Sequence, residues 1–136
     1  MGQRGYTLIE LMVVLLIIAI LAVIAIQAYH INVIRARVSE GIVLAMPAKL
    51  AVSEITLENN SLPATQAETG YLSPTPSNNV ADISVANDGS GAVTITYTAL
   101  AGNGTIIFTP SFINREVIWT CTGGTLDSNY RPPNCR

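Results

Sequence analysis

Glu10 is the side chain in this 136-residue chain that most needs a chemical reason. It stands alone at the head of an unbroken apolar run over residues 11–26. A carboxylate at the centre of a bilayer is disfavoured by roughly 2.5–3.5 kcal/mol on insertion scales, so it either sits at headgroup level or faces a cationic partner. Two cysteines, Cys121 and Cys135, lie close together near the C-terminus. In an oxidising compartment this even count favours one disulfide, closing a loop of about 15 residues and stabilising by roughly 3 kcal/mol in the loop-entropy account. Without neighbouring histidines the two thiolates cannot complete a tetrahedral metal site. The single histidine, His30, has no ligand cluster around it and reads as a solvated helix residue. Nothing resembles HExxH, a phosphate-binding glycine loop or a Ser-His-Asp set, so no enzyme activity, metal or cofactor is expected. Asp88-Gly89-Ser90-Gly91 lacks the spaced acidic ligands of a calcium loop and reads as a hairpin turn. Seven Lys and Arg against nine Asp and Glu give a net charge of −2, with no broad basic surface for direct nucleic-acid binding. Arg131 and Arg136 read as a solvated tail.

These groups need elements to hold them. Residues 6–26 form a segment of about 21 residues, which as a helix spans about 31 Å, close to the hydrocarbon thickness of a bilayer. No small-x-small cleavage site follows it, and the polar side begins at Gln27, so the segment is not an ordinary secretory signal. Arg4 ahead of the run favours a cytoplasmic N-terminus, although Arg35 and Arg37 beyond it reduce the asymmetry. After Gln27 the apolar residues Ile31, Ile34, Val38, Ile42, Ala45, Ala48, Val52 and Ile55 recur at steps of three or four. That spacing predicts one apolar face of a helix, with Arg35, Arg37, Glu40, Lys49, Glu54 and Glu58 marking polar positions. The helix should continue to about Glu58 and stop at Asn59-Asn60-Ser61-Leu62-Pro63. Pro47 removes a backbone donor and predicts a bend over residues 43–47, with Gly41 adding slack.

The second half is built differently. Residues 59–79 read as an irregular connection with one short helical turn near residues 64–68. Strands are predicted over residues 80–85, 93–97, 105–109 and 116–120, separated by turn signals at residues 87–91 and 101–104. Pro110 should end its strand or sit on an edge. Trp119 is expected as a core or strand-face anchor. The economical arrangement is α+β: a long N-terminal helix whose outer half packs on a small antiparallel sheet.

The leader carries a family resemblance. A short basic segment ending in Gly5, then Tyr6-Thr7-Leu8-Ile9-Glu10-Leu11-Met12 and a long apolar helix, resembles the processing signal of type IV pilins and their pseudopilin relatives. The stretch from Trp119 to Cys135 is similar to the disulfide-bound C-terminal loop of major type IVa pilins. This resemblance implies the pilin ladle fold and a set of boundaries: a leader over 1–5, a membrane and polymerisation helix over 6–27, and its amphipathic half over 28–58. A connecting loop over 59–79 and the sheet with its disulfide loop over 80–136 complete the set. It implies cleavage between Gly5 and Tyr6 by a prepilin peptidase, N-methylation of Tyr6, and a filament-assembly role for Glu10 opposite the new amine of a neighbouring copy. It also implies partners: other copies of the chain, the inner-membrane pilus assembly machinery, and the membrane itself before assembly. The location would be a bacterial inner membrane, then an extracellular filament serving adhesion, twitching motility or DNA uptake.

Two positions depart from the family pattern. Ala19 and Gln27 stand where many pilins carry a helix-breaking glycine and proline. The membrane half should therefore be more continuously helical. Two other classes of function share the leader or the helix. One is a minor pilin or secretion-system pseudopilin, against whose major form the two cysteines argue; the other is a monomeric membrane-anchored binding module, which leaves Glu10 without a role.

Overall fold

The computed structural model describes residues 7–136. Helix α1 runs over Leu8–Leu44 and helix α2 over Met46–Asn59, separated only at Ala45. The hydrogen-bond ladder crosses that residue, because the Ala45 amide donates to the Gly41 carbonyl at 3.0 Å and the Lys49 amide donates to the Ala45 carbonyl at 3.1 Å. Pro47 thereby falls in the first turn of α2, where a missing N–H is least costly. The predicted disturbance over residues 43–47 is thus an interruption at one residue. Asn60, with φ of 53°, closes α2 in the left-handed region that Asn tolerates better than most residues. Nothing interrupts α1 at Ala19 or Gln27.

Four strands follow, β1 (Val80–Val85), β2 (Val93–Tyr97), β3 (Thr105–Ile113) and β4 (Glu116–Gly123), forming an antiparallel meander in the order β1-β2-β3-β4. Short 3₁₀ turns lie at Gln66–Thr69, Ala99–Ala101 and Pro133–Cys135. Registers such as Ile83 opposite Ile95 and Ile95 opposite Ile106 align the apolar side chains of three strands on one face. That face packs on Ile34, Val38, Ala45, Ala48 and Val52 of the helix, making one core. The alanines let the sheet approach closely, and burying each large aliphatic side chain contributes roughly 1.5–3 kcal/mol.

Of the two places expected for Pro110 the structure gives the edge: Pro110 does not end β3 but lies inside it opposite Trp119, where pairing with β2 has already stopped at Phe108. With Ile113 and Glu116 closing the hairpin, Pro110 and Trp119 form a non-hydrogen-bonded pair, so the missing donor points to the side β2 has vacated. Gly41 does not supply slack. A Cβ there would lie 2.6 Å from Cε1 of Tyr97, so the position is glycine because the Tyr97 ring lies against the helix backbone.

The polar residues on the flanks of the helix serve as clamps. Arg35 Nε donates to the Asn129 carbonyl and Arg37 to the Leu100 carbonyl, each at 2.7 Å. Glu40 accepts from Asn79 Nδ2 at 2.6 Å and from Ser77 Oγ at 2.9 Å. Those hydrogen bonds hold the Glu40 carboxyl below the usual carboxylate range, Asn79 contributing most. Three separate loops are thereby tied to one rod.

Candidate functional site

The N-terminal end of α1 is built by Thr7 and Glu10. Thr7 has extended backbone, and its Oγ1 accepts from the Glu10 amide at 3.3 Å. The Glu10 carboxylate reaches back, Oε2 accepting from the Thr7 amide at 2.9 Å and from the Thr7 hydroxyl at 3.1 Å. This is a capping box, in which residues three apart satisfy each other's otherwise unpartnered helix-end donors. The Thr7-x-x-Glu10 spacing that permits this cap is visible in the sequence. In an apolar medium an unmet N–H costs several kcal/mol, so Glu10 has local work in a single chain as well as any work between chains.

Behind this cap the helix presents apolar side chains in every direction. Leu8 is 78 % exposed, Leu16 62 % and Ile26 67 %, and every residue of the run is exposed. It is the one helix among the described residues long and apolar enough to cross a membrane. Gly5 and Tyr6, expected as the cleavage and methylation positions, lie outside the described residues. His30 is exposed on α1.

At the opposite end Cys121 of β4 and Cys135 are joined in a disulfide, with Cα atoms 4.6 Å apart. Arg131, expected as a solvated tail residue, instead lies inside the loop this bond closes. Its guanidinium donates to the carbonyls of Leu126 at 2.6 Å, Gly124 at 2.7 Å and Gly123 at 3.4 Å. A planar fork of donors suits three converging carbonyls in a way a lysine could not. Arg136 donates in turn to the Arg131 carbonyl at 3.2 Å. No local pattern of types announces such a clamp, because its acceptors are backbone atoms.

Trp119 anchors the sheet to the helix, its indole N–H donating to Ser53 Oγ at 3.2 Å. Lys49 lies over two rings, its Nζ 4.5 Å from the centre of Phe108 and 5.1 Å from that of Trp119. Burial lowers its pKa from the usual lysine value. The Asp88 carboxylate accepts from the Ser90 hydroxyl at 2.6 Å and the Ser90 amide at 2.9 Å, closing the β1–β2 hairpin on itself. Among the described residues no group of three or more His, Cys, Asp or Glu could hold a metal ion.

An apolar rod long enough to cross a membrane thus carries a small antiparallel sheet and a disulfide-closed C-terminal loop, and the surface of the rod from Leu8 to Ile26 is exposed. Comparison with known proteins specifies the class. The family described as Pilin (bacterial filament) matches residues 34–136, and the prokaryotic N-terminal methylation motif matches residues 1–26. The type IV major pilin protein PilE1 of Neisseria gonorrhoeae is 33% identical, the match covering 98% of this chain and 94% of that protein. Fimbrial protein EcpC of Eikenella corrodens is 34% identical over 98% of this chain and 91% of its own length. Prepilin peptidase-dependent protein D of Escherichia coli is 35% identical, with coverage of 95% and 85%. A crystal structure of a Pseudomonas aeruginosa type IV pilin superposes with a TM-score of 0.58 at 25% identity, covering 76% of this chain and 98% of that one. The chain belongs to the type IV pilin family, a family of structural and not enzymatic subunits.

Proposed function

We propose that this subunit polymerises through α1 into a type IV pilus after a prepilin peptidase cuts between Gly5 and Tyr6 and Tyr6 is N-methylated. The observation that carries this reading is the apolar surface of α1, exposed on all sides from Leu8 to Ile26. Such a surface requires cover, supplied by the inner membrane before assembly and by other copies afterwards. Glu10 then has two states. Within one chain it caps its own helix; between copies with an axial stagger it lies within reach of the Tyr6 amine of a neighbour, and the ion pair sets register more than net stability. Adhesion, twitching motility and DNA uptake are the roles such a filament supports, driven by the inner-membrane assembly machinery with which the subunit would engage.

Electron microscopy of sheared surface filaments, combined with mass spectrometry of the subunit, tests this. The expected result is a filament whose chain begins at methyl-Tyr6. Glu10→Ala should leave the chain inserted in the membrane and absent from filaments. Normal filaments made from Glu10→Ala alone would sink the assembly role of that carboxylate.

A further inference from the structure

The two edges of the sheet are finished differently. Along β1 the preceding loop occupies the outer backbone groups: Gln66 Oε1 accepts from the Val85 amide at 2.7 Å, the Ser73 hydroxyl donates to the Ile83 carbonyl at 2.7 Å, and the Ser77 amide donates to the Val80 carbonyl at 2.8 Å. That edge is closed. Where β2 stops short of the β3–β4 hairpin, the side of β3 it vacates begins with Pro110, which has no amide to donate.

Strand β4 has neither device. With Ile113 and Glu116 closing the hairpin, Val117 and Trp119 lie in non-hydrogen-bonded pairs with Phe112 and Pro110, so their amides and carbonyls point away from β3. Among the described residues no hydrogen bond reaches these four groups. Ile118 between them is 45 % exposed, and Ile113 on the same face of the hairpin is 54 % exposed. An unprotected edge flanked by apolar side chains is a template for another strand.

The four groups complement themselves. When a second β4 is laid antiparallel with Ile118 opposite Ile118, Val117 of each copy faces Trp119 of the other as a hydrogen-bonded pair, and all four groups of each strand find partners. Sliding the strands by one pair either way would require Arg115 or Cys121 in place of one of them. Charge favours the same direction. Arg115 and Glu116 are the charges of the hairpin tip and the strand, and both lie at one end. Antiparallel pairing sets the two Glu116 residues four positions apart, about 13 Å, whereas a parallel pair in register would set them side by side. The two-fold axis of the antiparallel pair runs through the Ile118 contact, perpendicular to the sheet, so the long helices of the two copies point in opposite directions. Copies in one membrane or one filament share a direction, which leaves copies in two oppositely running filaments as the pair. A contact of four hydrogen bonds is weak once and strong when a filament repeats it.

We propose that the open edge of β4 is a lateral docking strand, pairing antiparallel with β4 of a copy in a neighbouring filament, Ile118 against Ile118 and Val117 against Trp119. The contact rests on the filament reading and adds to it a surface between filaments.

Sheared filaments of the full-length Ile118→Cys chain, oxidised with copper phenanthroline, test the register. A non-hydrogen-bonded pair holds its Cα atoms about 4.5 Å apart, within reach of a disulfide. The expected product is a 118–118 dimer, absent from Thr122→Cys filaments, whose introduced thiols would lie about 26 Å apart. No dimer from Ile118→Cys, equal dimer from both variants, or a link from position 118 to a different protein overturns the contact and leaves the filament reading intact. A wild-type chain that makes no filaments overturns both. Electron microscopy of the same preparations gives an independent reading. Ile118→Lys, at an exposed position, opposes two ammonium groups and should lower the fraction of laterally paired filaments about fivefold at unchanged filament yield. Val117→Pro, whose lost donor faces outward in the single subunit, should do the same. Filaments of Ile118→Lys mixed with filaments of Ile118→Glu should pair again. Wild-type filaments that lie only singly, Ile118→Lys filaments paired as often as wild type, or a mixture that stays unpaired also overturns the contact.

Discussion

The Tyr97 hydroxyl donates to the Val38 carbonyl at 2.8 Å, and the ring reaches that carbonyl by lying against Gly41. The last residue of β2 is thereby bonded to the helix backbone itself. Val38 is buried beside it, so sheet and rod meet through a hydrogen bond enclosed by the core.

Gly41→Ala is expected to cost about 1–3 kcal/mol, the range for overpacking a close contact. Tyr97→Phe should cost about 1 kcal/mol for one hydrogen bond. Thermal unfolding of the full chain in detergent measures both, and the double variant should lose less than the sum because the ring is shared.

Burial keeps the Tyr97 phenol protonated well above the usual tyrosine range. Ionisation is thus easier in the unfolded chain. Stability should be insensitive to this group below about pH 10, where an unfolded tyrosine begins to titrate, and should fall as pH rises further. Tyr97→Phe removes that alkaline slope, which melting curves between pH 8 and 11 would record.

Glu40 predicts the opposite limb. Its carboxyl titrates below the usual range, so its contribution is present above about pH 4.3, the unfolded value, and is lost as pH falls through the lower folded value. Glu40→Gln should flatten that acid loss. Amide exchange should also be faster at Asn79 and Val80, whose amides bond to the Ser77 hydroxyl that Glu40 positions.

Arg131→Ala should loosen the C-terminal loop by about 1.5–3 kcal/mol, the range for hydrogen bonds from a charged donor. The expected readouts are faster reduction of Cys121–Cys135 by dithiothreitol and loss of exchange protection at Leu126. Arg131→Lys should recover only part of this, because an ammonium cannot span the three carbonyls.

Helix α1 carries neither glycine nor proline from Leu8 to Glu40. Hydrogen exchange in detergent and in filaments should therefore show continuous protection through Ala19 and Gln27. Gln27→Pro should open amide exchange on the turn before residue 27, consistent with a loss of about 3 kcal/mol at that position.

The strands were legible to different depths. Val93–Tyr97 alternates apolar residues with threonines, and its bounds in the structure are those its pattern predicts. β3 and β4 each run past their predicted ends, because periodicity cannot show that a proline's missing donor will meet a strand that has already stopped. Gly41 and Arg131 take roles that their own neighbourhoods in the sequence do not show, for a related reason. One is defined by a ring arriving from residue 97, the other by three carbonyls, and neither neighbour is encoded in local spacing.

The sequence by itself determined the apolar rod, the amphipathic face that would meet a sheet, the lone Glu10 after Gly5 and Tyr6, and the cysteine pair. Each is a property of residue type and separation along the chain, which hydropathy and covalent chemistry fix without reference to distant residues. Only the tertiary structure decided which polar flanks became clamps and which apolar helix residues stayed uncovered. Arg35, Glu40 and Lys49 are alike as charges on one helix, but they differ because the loops that return to it cover the first two and leave the third on aromatic faces without an anion. Those return paths depend on the chain's three-dimensional course, which no local spacing records.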